Sequence, residues 1–393
     1  MNIDFAMIVS AIKSVLNGVE SPVPLHEPSF VGREWQLLQD CLDSGYVSSV
    51  GEYVDRFEQQ LAEYLGAEHV VAVVNGTAAL HTCLLLAGVK PGDEVIVPSL
   101  TFVATANAVS YCGAIPHFVD SQQSTLGLAP AKLGQHLADI LRQENGNWLN
   151  RNTGRRVAAI VPMHTFGHPV DMDALNEVAE QYGLPVIEDA AESLGSRYKD
   201  RMAGTLSNLA AISFNGNKII TTGGGGAIVT NDKVLAQRAK HLTTTAKLPH
   251  RWQISHDEIG FNYRMPNINA ALGCAQLEQM AGFVEQKRSL AEMYRKAFLG
   301  VDGVKFFQEQ EFSQSNYWLN AVLLDEASLD KRDEVLEALN NESIMARPAW
   351  TLMHRLPMYQ ACPRMDLSVA ENLEQRLICI PSSPLLSQAG GHA

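Results

Sequence analysis

The sequence has no surplus of basic residues, no paired-cysteine motif and no long apolar run, and each absence excludes a class of protein. Thirty Lys and Arg stand against 43 Asp and Glu, a formal charge of −13 at pH 7. A nucleic-acid-binding surface would instead appear as a basic face. Anionic small molecules remain admissible, because helix N-terminal amides and a few local cations bind phosphate even on an acidic protein. The six cysteines, Cys41, Cys83, Cys112, Cys274, Cys362 and Cys379, are scattered without C-x-x-C spacing. Most have apolar neighbours, which predicts buried free thiols in a reducing compartment and no zinc. No stretch reaches the roughly 18 apolar residues that span a bilayer. The short apolar stretch 5–12 lies between Asp4 and Lys13 and has no small-residue cleavage site, so a cytoplasmic chain with no membrane partner is expected. Internal repeats, a P-loop and a G-x-G-x-x-G turn ahead of a helix are also missing.

What is present suits an α/β protein. A chain of 393 residues is long enough for two domains. Residues 1–24 read as a helical extension, with Ile8, Ile12, Val15 and Leu16 at helical spacing. Helices are expected at about 32–43 and 52–64. From His69 onward, short β-branched runs (70–74, 94–98, 116–119, 157–162, 185–189) alternate with helical stretches (78–87, 101–112, 131–142, 173–182). That alternation predicts βαβ units and a mostly parallel mixed sheet. The Asn-rich segment 144–156 reads as a surface insertion. One long helix is expected over 269–298, followed by a strand at 318–324 and a helix at 332–340. The predicted division is an extension (1–24), a large domain (25–266), and a long helix with a smaller α+β domain (267–393).

Ligands on parallel sheets bind beyond the carboxyl ends of the strands, and four such junctions carry unusual side chains. In Asn75-Gly76-Thr77-Ala78 a strand turns into a helix whose first amides suit a phosphate. Ile187-Glu188-Asp189-Ala190-Ala191-Glu192 ends a strand in carboxylates, which suit a metal, a base, a protonated ring nitrogen or simply a helix cap. Ser213 and Lys218 lie in an apolar, Gly-rich stretch, and Lys218 is the only charge between Met202 and Asp232. An amine kept from water is a nucleophile, although an isolated lysine is more often a surface residue. Phe102 opens a helix where a ring can stack on a planar group. A phosphate cradle, an aromatic ring, an acid and a nucleophilic lysine are together what pyridoxal phosphate requires. His164 and His168 are four apart, but Gly167 and Pro169 oppose the helix that would aim both at one zinc. No metal is expected, and His164 stands as a candidate contact to cofactor or substrate.

These motifs, with Gly260-Phe261-Asn262-Tyr263-Arg264, resemble the DegT/StrS family of sugar aminotransferases over about residues 25–384. The resemblance implies an aspartate-aminotransferase-like (fold type I) architecture and a homodimer. It also implies that Lys218 is the Schiff-base lysine and Asp189 the partner of the pyridine nitrogen. Gly76, Thr77 and Ser213 would hold the cofactor phosphate, Phe102 would stack on the ring, and Asn262 would reach the neighbouring subunit's cofactor. Glu192 stands where the family often has Gln or His, so a carboxylate there should hold or share a proton. Lysine rather than histidine at 218 favours amino transfer over sugar dehydration. Amination at another keto position and a catalytically silent scaffold of the same fold stay compatible with these motifs. Residues 243–251, 315–320 and 347–350 resemble, more narrowly, the aminotransferases of the legionaminic acid and bacillosamine pathways (LegC type). That likeness implies a UDP-linked 4-keto-6-deoxy-N-acetylhexosamine acceptor and L-glutamate as donor. Lys247, His250, Arg251 and Arg347 are its candidates for the diphosphate or the glutamate carboxylates.

Overall fold

Strand–helix alternation between residues 69 and 230 builds a single layer of seven strands in the computed structural model, which describes residues 4–389. They are β1 (His69–Val73), β2 (Glu94–Pro98), β3 (Ile115–Val119), β4 (Val157–Ile160), β5 (Ile187–Asp189), β6 (Leu209–Ser213) and β7 (Gly226–Thr230). One ladder runs β3-β2-β4 and the other β1-β7-β6-β5. The parallel bridges Ile160↔Val186 and Met163↔Asp189 join β4 to β5. Only β7 runs antiparallel to its neighbours. The sheet is therefore mixed and mostly parallel, as the alternation predicts.

Both faces of the sheet are covered. Along β1, Val70 and Ala72 pack with Phe57 and Leu61, while Val71 and Val73 pack with Leu80 and Leu84 on the other side. This is the two-residue periodicity of a strand buried on both faces. Helix Glu52–Leu65 belongs to the first layer and helix Gly76–Leu86 to the second.

One sequence expectation changes in the structure, and two others gain detail. The single helix over 269–298 is two helices, Asn267–Leu277 and Met280–Ala297, separated at Glu278 and Gln279. The first is buried nearly all round against the large sheet's outer layer; the second begins in that same core with Met280 and Phe283 and then presents Leu290, Ala291 and Tyr294 to another. Gln279 marks the break by donating to Glu34 Oε1 at 2.6 Å. Segment 144–156 lies at the surface for most of its length, as expected. It continues a hairpin (Leu141–Glu144 with Asn147–Asn150) whose turn residues Asn145 and Gly146 both have positive φ, as a two-residue hairpin turn requires. Its Asn150 is buried and donates to Glu94 Oε2 at 2.8 Å. The expected N-terminal helix is present over Phe5–Val15, capped by Asp4, and it packs on the body of its own chain. Ile8, Ile12 and Val15 insert into the same core as Leu290, Tyr294, Val322 and Leu339; residues 1–3 lie outside the described chain.

That C-terminal core is built on a four-stranded antiparallel sheet formed by Val304–Phe306, Asn320–Leu324, Leu377–Ile380 and Arg347–Pro348. Residues just ahead of its strand Asn320–Leu324 hang over the carboxyl ends of the large sheet, where Trp318 Nε1 donates to Asn217 O at 2.8 Å. Among the described residues no helix is long and apolar enough to cross a membrane.

Candidate active site

At the carboxyl ends of β1, β5 and β6 the chain encloses a cavity of about 310 Å3. Asn75, Gly76 and Thr77 line it from the β1 turn, Asp189 and Glu192 from the β5 turn, and Ser213, Asn217 and Lys218 from the β6 loop. Phe102, Trp318 and Trp350 add aromatic walls. The junctions singled out in the sequence thus converge, although they are up to about 140 residues apart in the chain.

The β1 turn offers a phosphate cradle. Asn75 caps the helix by accepting from Ala78 N at 2.8 Å, and the amides of Gly76 and Thr77 begin the helix, where no acceptor lies one turn back. A Cβ added at Gly76 would lie 2.9 Å from Ser213 Cβ, so glycine is what lets the two turns approach this closely. Gly76, Thr77 and Ser213 line one space, and first-turn amides with two hydroxyl side chains are the donors that a phosphate group needs.

At the end of β5, strand alternation separates two adjacent carboxylates. Glu188 points away from the cavity and is consumed by the structure: it accepts from Gly204 N (2.7 Å), Leu206 N (2.6 Å) and Ser207 N (2.8 Å). Asp189 faces the cavity and accepts from Thr105 Oγ1 at 2.7 Å and from Ala191 N at 3.2 Å. Burial raises its pKa, and the Thr105 hydrogen bond partly offsets this. A buried carboxylate with a free edge suits a protonated ring nitrogen.

Lys218 is 9% exposed, with Nζ 3.3 Å from Glu192 Oε1 and 3.8 Å from the centre of the Trp318 ring, a cation–π distance. The other Glu192 oxygen accepts from Phe166 N at 2.9 Å. Phe166 adopts a left-handed backbone (φ 57°, ψ 16°), uncommon for a bulky side chain, and this hydrogen bond helps hold it there. Burial pushes the Glu192 carboxyl up to about 7, against the opposing pull of the Lys218 charge. The folded chain therefore keeps this proton where the unfolded chain releases it, and stability falls as pH rises from 4.5 to about 7. In cofactor-free protein, Glu192→Gln is expected to gain Tm over the native chain progressively across that window and no further above it. Thermal melts at several pH values check this; a Tm difference that stays flat would mean Glu192 ionises freely.

A second cavity of about 520 Å3 shares Phe102, Asn217, Trp318 and Trp350 with the first and carries Arg347 on its wall. The other proposed basic contacts lie elsewhere. Lys247, His250, Arg251 and Asn262 are exposed and do not line either cavity of their own chain. His164 is a correction. It is fully buried, accepts from Val170 N at Nδ1 (3.1 Å) and donates from Nε2 to Glu188 (3.0 Å), so neither nitrogen is free for a ligand. His168 turns instead between Phe307 and Tyr317. Thr105, Trp318 and Trp350 belong to the site although the sequence did not mark them. The two tryptophans had a signal, since both lie within the segments that carry the narrower resemblance; Thr105, one turn into an ordinary helix, had none.

The sequence profile of the DegT/DnrJ/EryC1/StrS aminotransferase family matches residues 29–390. The chain belongs to this family. It is 40% identical over 365 residues to the GDP-perosamine synthase of Escherichia coli O157:H7, covering 93% of this chain and 94% of that one. It is 39% identical over 368 residues to Bacillus subtilis (strain 168) EpsN, named as a pyridoxal phosphate-dependent aminotransferase, covering 93% and 92%. The crystal structure of the aminotransferase TlmJ from Streptoalloteichus hindustanus superposes with a TM-score of 0.83 at 28% identity, covering 94% of this chain and 97% of that one. The protein is thus a sugar aminotransferase with the fold type I architecture, and its cofactor is pyridoxal phosphate. These relatives support the broad family and do not single out the legionaminic acid type.

Proposed function

We propose that this aminotransferase moves an amino group from L-glutamate to the ketone of a nucleotide-linked 4-keto-6-deoxyhexose, working as a homodimer. The observation that carries the reading is the placement of Lys218 Nζ. It shares an enclosed cavity with the Asp189 and Glu192 carboxylates, and that cavity abuts a larger, aromatic-walled one. When bound, pyridoxal phosphate supplies an electron sink for the substrate carbon that changes its proton. The protein's own groups do the rest. Gly76, Thr77 and Ser213 would hold the phosphate, Phe102 would stack on the ring, and Asp189 would keep the pyridine nitrogen protonated. Lys218 Nζ would anchor the cofactor and would then be free to carry the proton. Glu192 lies close enough to exchange a proton with Lys218, and its proton affinity near neutrality suits that task.

Arg347, on the wall of the larger cavity, is positioned for a carboxylate or diphosphate. Asn262, Lys247, His250 and Arg251 act in the reading from the partner subunit. Their loop exposes Trp252 (77%), Ile254 (72%) and Ile259 (85%), an apolar surface that a second copy would cover. For the nucleotide, the relatives named GDP-perosamine synthases favour guanosine, and the motifs at 243–251, 315–320 and 347–350 favour a uridine-linked N-acetyl sugar. The test is to incubate the pyridoxal phosphate-loaded enzyme and L-glutamate with UDP- and GDP-linked 4-keto-6-deoxyhexoses and identify products by NMR. An amino sugar from one nucleotide series supports the reading and selects the nucleotide; no amino sugar from any of them overturns it.

A further inference from the structure

The larger cavity beside Lys218 contains a polar group that the fold leaves without a partner. His26 lines it, and both ring nitrogens are buried with no hydrogen-bond partner among the described residues. Burial without a partner destabilises the fold, so such groups are rare unless a ligand or water satisfies them. The ring is not loosely placed. Ser382 N donates to Leu25 O at 2.7 Å on one side, and Glu27 N donates to Ser383 Oγ at 2.9 Å on the other. The segment ahead of it is pinned as well, with Met345 N donating to Val23 O at 2.9 Å. The small C-terminal sheet therefore holds His26 against a cavity whose aromatic residues also wall the Lys218 site.

We propose that His26 is a specificity-determining residue that recognises a hydroxyl or amide substituent on the sugar acceptor. Burial, reinforced by the charges of Lys287 and Lys218, holds its imidazole neutral, with one donor and one acceptor. Lys287 gives it no hydrogen bond, being committed to Trp318 O (3.1 Å) and Ser382 O (2.5 Å). A neutral donor–acceptor pair matches a hydroxyl or acetamido group and is a poor partner for a carboxylate. The cation suited to the anionic donor is Arg347, on the same cavity. Trp318, Trp350 and Phe166 give the cavity flat apolar walls, which suit the C–H face of a pyranose.

This assignment rests on the proposed sugar acceptor, and the two half-reactions separate them. The conversion of the loaded enzyme by L-glutamate is followed by its change in visible absorbance; its reversal is followed after adding UDP- or GDP-linked 4-keto-6-deoxyhexoses. His26→Phe, which keeps the ring's bulk without its nitrogens, is expected to slow the sugar half-reaction about 10- to 100-fold. The glutamate half-reaction should change much less. His26→Gln, which restores a donor and an acceptor, should recover part of the loss. Equal losses in both half-reactions, with a lowered Tm, would make His26 a structural residue and overturn the assignment, as would no loss in either. Native enzyme that reacts with glutamate and with none of these sugars overturns the acceptor reading itself, and this assignment with it.

Discussion

Lys218→Ala is expected to lose the visible chromophore formed on adding pyridoxal phosphate and to lose glutamate-driven amination by roughly a hundred- to ten-thousandfold. The size of the effect follows from two duties on one nitrogen. The amine is the nucleophile that bonds the cofactor, and it is also the base positioned to carry a proton. Little else in the cavity can substitute. Glu192 Oε1 lies 3.3 Å from Nζ, but a carboxylate does not form the same bond to an aldehyde. The fold should survive, because among the described residues the Lys218 amine makes one hydrogen bond, to Glu192, and one cation–π contact, with the Trp318 ring. Circular dichroism and Tm therefore serve as controls, and turnover within a few-fold of the native enzyme would remove Lys218 from the mechanism.

Asp189→Asn should cost roughly a hundred- to a thousandfold in kcat, the scale seen when one electrostatic contact to developing charge is lost. Asparagine keeps the size and one acceptor: its oxygen can take the Ala191 N bond, while its amide donates to Thr105 Oγ1, whose hydroxyl can turn to Thr101 Oγ1. What disappears is the negative charge that would hold a proton on the ring nitrogen. Unlike Lys218→Ala, this variant should keep the chromophore after addition of pyridoxal phosphate while turning over slowly. A variant with near-native kcat would show that the aspartate only braces the β5 turn through Thr105.

Much of the site was legible because its signals are local. Gly76 in a strand-to-helix turn, Asp189 at a strand end and Lys218 as a lone charge in an apolar stretch are all visible within a dozen residues. Glu192 also stood out, through the family resemblance, as a carboxylate that should hold or share a proton, and its burial beside Lys218 supports that. His164 read as a ligand contact for the same local reason, lying at a strand end, and there the reading failed. Which way a side chain turns at that position depends on Glu188, 24 residues away. The break at Gln279 was invisible too, since the helical periodicity continues through it and Gln279 bonds Glu34, 245 residues away in the chain.

The amino-acid sequence by itself determined the strand–helix alternation, the mixed sheet, the family and the residues fit to bind a phosphate and a ring. These depend on spacing and on the chemistry of neighbours along the chain. Tertiary structure alone decided that Asp189 faces the cavity and Glu188 does not, and that Trp318 reaches back 101 residues to close over the Lys218 loop. It also placed His26, carried by the N-terminal segment, in the cavity beside Lys218. The physical reason is that burial and orientation arise between segments far apart in sequence. Lys218 is confined by groups from the β5 turn and the C-terminal domain, and no window around residue 218 contains them.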